Sequence, residues 1–388
     1  MMKQEQGTIF KTLDEFRKVE LEDIVHFFGA GLSPRMPKRD FVNMLGAYLI
    51  EKPKEWLGRM LERDLRLLER LVDAGPEIPL FLDYPDYPSI LETVRLVHSD
   101  TSDPNFRKLW IGRELYDIVA PHIVDVLARG EESGRFDCER AALGYLNLYG
   151  VLTLKEFFKR MLEFQAYEGR KDPVAFMTEL CESPVMKLCR FDSGKHRYVS
   201  APSIFDPQEI LTGRKKYADV KNIKIFSPLE ALEAGSGSPL FVFGLNTPAG
   251  RELVAMLQEL GYKGDDLVRE EHDIWMNSQR AMDEESTEAI FQAVTRKQDS
   301  LASFESFNAC MQTVATYANS LPKWLLRGHS PDEVNYLKVI LQSEEDPIRD
   351  LSVNDPLLGL FVPPVPGHTP CPCGSGLLYR NCHGKRLN

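Results

Sequence analysis

Three cysteines and a histidine crowd one short stretch of this 388-residue chain, at Cys371, Cys373, Cys382 and His383. Segments that short bury almost no apolar surface, so something other than a hydrophobic core must hold them in shape. Three thiols and one imidazole are the donor set of a closed tetrahedral structural zinc site. Gly374-Ser375-Gly376 supplies a tight reversal between the two ligand pairs, and Tyr379 offers an aromatic lid. Metal binding would then provide the folding free energy of the segment. With all four positions filled by protein, none is left for a reactive water, which argues for a structural ion over a catalytic one.

The pattern Cys-Pro-Cys-Gly-Ser-Gly-x5-Cys-His closely resembles the SEC-C motif, the zinc-binding tail of the bacterial preprotein translocase ATPase and of many other bacterial proteins. The resemblance implies Cys371, Cys373, Cys382 and His383 as the zinc ligands. Family members usually carry lysines after Gly-Ser-Gly, where this chain has Leu377 and Leu378. Basic character survives in Arg380, Lys385 and Arg386, with no acid after Cys371. The remainder, with Leu146-Asn-Leu-Tyr-Gly150 and Gly328-His-Ser-Pro-Asp-Glu333, resembles a group of bacterial SEC-C domain-containing proteins. That likeness supplies no mechanism.

The other four cysteines, Cys138, Cys181, Cys189 and Cys310, are scattered and read as core thiols. Such sparse cysteines do not form a disulfide scaffold. Residues 1–7 are polar, with no apolar run before a small-residue cleavage site, and no stretch approaches bilayer-spanning length. The expectation is a cytoplasmic protein. Hydrophobic residues at 43% and charged residues at 27% fit an ordinary globular chain and exclude wholesale disorder. The net charge of −11 argues against coating nucleic acid or an anionic membrane with the whole surface.

The predicted fold class is mainly α: a multi-helical body, a winged-helix-like α+β middle region and the small zinc-binding tail. Helical periodicity through Leu13, Phe16, Ile24, Phe27, Phe41, Leu45, Leu57, Leu65 and Leu68 defines an N-terminal helical module over 8–75. Prolines over 76–93 read as a packed connector. Over 94–224 the predicted order is helices at 108–130 and 138–147, a short strand in 148–152, and a helix from 153 to about 166. A helix over 172–182 and a hairpin of strands 185–191 and 195–199 follow. Thr153 with Glu156 forms a capping-box signal. This order is that of a winged helix. Residues 225–345 read as a helical domain, with helices at 248–260, 265–280, 283–297 and 301–319 and a further start at Ser330-Pro331. The acidic stretch Glu270, Glu271, Asp273, Asp283, Glu284, Glu285 and Glu288, with His272 inside its first part, reads as a solvated face. Residues 346–370 are a Pro-rich linker before the motif at 371–388.

Two binding readings follow. The first is a non-enzymatic interaction or adaptor protein whose zinc-stapled tail docks a protein or protein–RNA partner. The alternative is a nucleic-acid-binding regulator using the winged-helix-like region and the basic residues of 195–224, with Lys195, Arg197, Arg214, Lys215 and Lys216 as candidate contacts. It is less favoured, because helix 172–182 holds acids and no base, and a groove-reading helix needs donors for phosphates and base edges. No catalytic residue is assigned. The sequence has no His-Glu-x-x-His, no Gly-x-Ser-x-Gly, no phosphate loop and no dinucleotide glycine pattern after a convincing strand.

Overall fold

Apolar residues at helical spacing are realised as helix over most of the chain. A computed structural model describes residues 8–82, 89–102, 107–169, 172–218, 220–235, 242–280 and 288–334. Among these the chain is mostly helical, with two three-stranded sheets. It divides into two compact units. The first comprises the described residues within Met1–Asn147, Leu152–Phe205 and Ser227–Phe241; the second comprises Leu148–Val151, Asp206–Phe226 and those from Val242 on.

The first unit opens with α1 (Thr8–Glu15), α2 (Lys18–Phe28), α3 (Lys38–Glu51), α4 (Pro53–Leu57) and α5 (Glu62–Ala74). The apolar positions named from periodicity become a core in which Phe28, Phe41 and Trp56 are fully buried. The Phe28 and Trp56 rings meet edge to face at 5.4 Å, and the Trp56 indole N–H donates to the Leu49 carbonyl at 3.0 Å. The Pro-rich connector is more structured than expected. It contributes β1 (Leu80–Leu82) and α6 (Ile90–Thr93), followed by β2 (Val97–Asp100) and β3 (Arg107–Ile111), in sheet order β1-β3-β2 with antiparallel neighbours.

Helix was expected from residue 108, but β3 occupies that start. Its burial alternates strictly, Arg107, Leu109 and Ile111 in and Lys108 and Trp110 partly out, a period of two that belongs to a strand. Helix begins only after Gly112, with α7 (Arg113–Val119), α8 (Ile123–Glu132) and α9 (Arg135–Tyr149).

Next come β4 (Val151–Thr153), α10 (Leu154–Tyr167), α11 (Pro173–Glu182), α12 (Pro184–Cys189), β5 (Arg190–Ser193) and β6 (His196–Ser200). The second sheet has the order β4-β6-β5. Thr153 caps α10 as its spacing with Glu156 predicts. The Thr153 hydroxyl accepts from the Glu156 N–H at 3.2 Å, and the Glu156 carboxylate accepts from the Thr153 N–H at 2.9 Å. Asp172 caps α11 through the N–H groups of Val174 and Ala175. The strand expected at 185–191 is instead α12 up to Cys189. Ser183 caps it, accepting from the Met186 N–H, and Pro184 sits at its first position, where a missing N–H costs nothing.

The chain then forms α13 (Pro207–Gly213), a 3-10 turn over Arg214–Tyr217, and α14 (Pro228–Ala234). Helix α14 lies in the first unit, where its backbone meets that of α9 without intervening side chains. A Cβ on Gly144 would overlap the Ala231 carbonyl, and one on Gly235 would overlap the Arg140 carbonyl. Asn147 seals the contact by donating to the Ala234 carbonyl at 2.8 Å.

The second unit is completed by α15 (Pro248–Glu259), α16 (Gly264–Arg280), α17 (Gln292–Thr295) and α18 (Phe304–Ser320). The helix expected over 283–297 is described only from 288, and there residues 288–290 and the short α17 are helical with a turn at Phe291 between them. Trp275 and Trp324 pack edge to face at 5.9 Å. The Gln279 amide holds the chain beside them, donating to the Pro322 carbonyl and accepting from the Trp324 N–H.

Candidate functional site

The four candidate zinc ligands, Cys371, Cys373, Cys382 and His383, lie outside the described residues. Among the described residues, no group of three or more His, Cys, Asp or Glu side chains is placed to hold a metal ion. No described helix is long and apolar enough to cross a membrane.

The five basic candidates fall in different surroundings. Lys195 and Arg197 are exposed at the turn of the β5–β6 hairpin, in the first unit. Arg214, Lys215 and Lys216 belong to the second unit, where Lys215 and Lys216 are exposed. Arg214 is buried. Its Nε donates to the Trp324 carbonyl at 2.9 Å, and its Nη2 donates to the Tyr149 carbonyl at 2.7 Å. Those bonds give both carbonyls a charged donor, the Trp324 carbonyl also accepting from the Arg327 N–H at 3.3 Å.

A polar network nearby, all within the second unit, absorbs another member of the basic run. Lys224 pairs with Glu333 at 2.7 Å, and its backbone N–H donates to the Arg327 carbonyl. Ser330 caps the helix start predicted there, its hydroxyl accepting from the Glu333 N–H while the Glu333 carboxylate accepts from the Ser330 N–H. The His329 ring contacts the Asn222 carbonyl through Nε2 and faces Glu333 at 3.6 Å through Nδ1. Burial alone would raise the Glu333 carboxyl. Hydrogen bonds from His329, Lys224 and the Ser330 N–H outweigh it and hold the group down at about 2.

The acidic run on α16 is not the solvated face expected of it. Glu270, Glu271 and His272 are all buried, because this stretch of α16 is turned inward in a unit where α16 packs against α15 and α18. Glu270 pairs with Arg296. Burial raises the carboxyls of Glu270 and Glu271, with Arg296 opposing the rise at Glu270. Cys181 is likewise exposed, not in the core, whereas Cys189 is buried and its thiol is pushed up to about 12.

Two buried titratable groups carried no signal in the sequence. Lys323, 5% exposed between Pro322 and Trp324, is pushed down to about 7 by burial, against the opposing charge of Asp332. Glu139, in the first unit, is pushed up to about 8 by burial. Its Oε1 accepts from the Glu62 N–H at 2.6 Å, while Oε2 is buried with no hydrogen-bond partner.

Comparison with known proteins bears on the tail. The SEC-C motif family model matches residues 369–385, so the chain carries a SEC-C motif, a zinc-binding type of motif. No curated protein and no solved structure matches the chain.

Proposed function

We propose that this is an interaction protein whose SEC-C segment, stapled by a structural zinc ion, docks a protein or protein–RNA partner. The observation carrying this reading is the motif match at 369–385, which spans three thiols and one imidazole. That donor set suits Zn2+ and fills its tetrahedral shell, with Cys371, Cys373, Cys382 and His383 as ligands. Zinc would supply the fold of the segment, while Arg380, Lys385 and Arg386 give it a basic surface. Metal analysis of the purified chain tests the site: one zinc per chain is expected, lost in the double variant Cys371→Ser and Cys373→Ser. Zinc absent from the unaltered chain, or retained by the variant, would sink the assignment.

The nucleic-acid reading draws support from the order α9, β4, α10, α11, α12 and the β5–β6 hairpin, with sheet order β4-β6-β5, which is a winged-helix order with one extra short helix before the hairpin. Lys195, Arg197, Lys215 and Lys216 are exposed, as that reading requires. Two observations weigh against it. Arg214 is committed to backbone carbonyls, and the charged residues of α11 are all acidic, while α12, the helix directly before the hairpin, holds a single base, Lys187, which donates to the Phe27 carbonyl. A steep fall of affinity with salt, removed by neutralising Lys195, Arg197, Lys215 and Lys216, would favour it over docking through the tail.

A further inference from the structure

Eight of the sixteen arginines described in the first unit are paired with carboxylates. Arg66, Arg95, Arg129 and Arg140 each lie within 4 Å of at least one carboxylate. Around one cavity four cations lie together without such a partner. The turn after α4, the start of α9, and the segment from α12 into β5 bring together Arg59, Arg135, Lys187 and Arg190, which line a cleft of about 830 Å³. Among the described residues none of these four has a carboxylate within salt-bridge distance. A second cavity of about 420 Å³, along the Gly29–Pro34 loop, shares Arg59, Lys187 and His26 with the first.

Carboxylates also border the larger cleft, but their position differs. Glu179, Glu182 and Asp192 are exposed, whereas Arg135 and Lys187 are both drawn in from solvent. The charges placed deepest are therefore cations. Glu22, in the smaller cavity, is engaged by Lys18 at 3.9 Å.

The fold itself needs only part of this charge. Lys187 Nζ donates to the Phe27 carbonyl at 3.2 Å, an ordinary cation at a helix C-terminus. Arg135 Nη1 donates to the Gly58 carbonyl, but its Nη2 is buried without a hydrogen-bond partner. The Arg59 guanidinium lies against Gly29, where φ is +70° and a Cβ would clash with it. Burial, and then repulsion from Arg59, lowers the lysine, with the Glu182 charge opposing. Glu139 and Glu179 act on Arg135, and Glu182 on Lys187, only from beyond salt-bridge distance. Guanidinium forks free of salt-bridge contacts around a cleft of small-molecule size fit the bidentate geometry of a phosphate group.

We propose that this cleft binds a phosphate-bearing small molecule, with Arg135 and Lys187 at its base and Arg59 and Arg190 at its rim. The test is calorimetric titration of the full chain, in phosphate-free buffer, with inorganic pyrophosphate, ATP and citrate as probes. Saturable binding of pyrophosphate or ATP at one site is expected. Replacing both exposed rim residues, Arg59→Gln with Arg190→Gln, should weaken it by at least about tenfold. The control Arg66→Gln should leave it unchanged. Tighter binding of ATP than of pyrophosphate would identify a nucleoside phosphate, and equal binding a simpler phosphate; both outcomes uphold the cleft. Failure of both phosphates to saturate, binding that survives the rim substitutions in a variant that melts normally, or citrate matching the phosphates would overturn the proposal.

Discussion

Glu139 shows how one buried side chain sets a pH dependence. Its folded-state carboxyl is raised to about 8 by burial, with the Arg135 charge opposing, against an ordinary value of 4.5. Between those limits the folded protein holds a proton that the unfolded chain has released. Its contribution to stability is therefore fully present below about 4.5 and is lost as pH rises through about 8, at about 1.4 kcal/mol per unit in that window. Glu139→Gln keeps an oxygen to accept from the Glu62 N–H and removes the titration. Urea unfolding at pH 5 and pH 8 should show the variant gaining on the unaltered protein as pH rises. An unchanged difference between the two pH values would rule the carboxyl out as the source. Arg214 teaches the complementary lesson. In sequence it is one of a basic triplet with Lys215 and Lys216, and no local pattern distinguishes an arginine that satisfies two buried carbonyls from lysines left in water. Burial is decided by residues as distant in sequence as Tyr149 and Trp324.

At the level of elements, α9 and α14 make contact through backbone. Helix propensity alone predicts that Gly144→Ala stabilises α9 by up to about 1 kcal/mol. Contact with the Ala231 carbonyl predicts the reverse, because neither rigid backbone can yield to a Cβ. Destabilisation of about 2–3 kcal/mol by denaturant titration is expected, as for an overpacked core. A gain in stability would show that the two helices do not approach in this way. Signals contained within a few residues were legible: Thr153 with Glu156, Asp172 before Pro173, and Ser330 before Pro331 each start a helix where the sequence places it. Val185–Phe191 failed as a strand because its apolar run suits either state, and the cap at Ser183 with Pro184 decided for helix. Arg107–Ile111 failed as a helix for a related reason. Five residues carry too few turns to separate a period of two from 3.6, and pairing with β1 and β2 settled the matter.

Across the whole molecule, the two candidate sites differ in how far their residues are spread along the chain. The zinc donors sit within a single short stretch, so residue type and spacing alone announce them. The cations of the cleft run from Arg59 to Arg190 and converge only through tertiary packing, which leaves no trace in local sequence. Net acidity hides them further, since a chain of −11 gives no reason to look for unmatched positive charge. The stability of the body should be separable from the metal. Each unit has its own aromatic core, Phe28 with Trp56 in one and Trp275 with Trp324 in the other, and no described cluster is placed to hold a metal ion. Deleting residues 369–388 should therefore abolish zinc binding while moving the melting transition by no more than about 2 °C, at most the shift that loss of about 1 kcal/mol produces in a domain of this size. Scanning calorimetry with metal analysis on the full and shortened chains measures both quantities. A collapse of the cooperative transition in the shortened chain would mean that the SEC-C segment braces the body, and would replace the picture of a docking tail with that of a structural clasp.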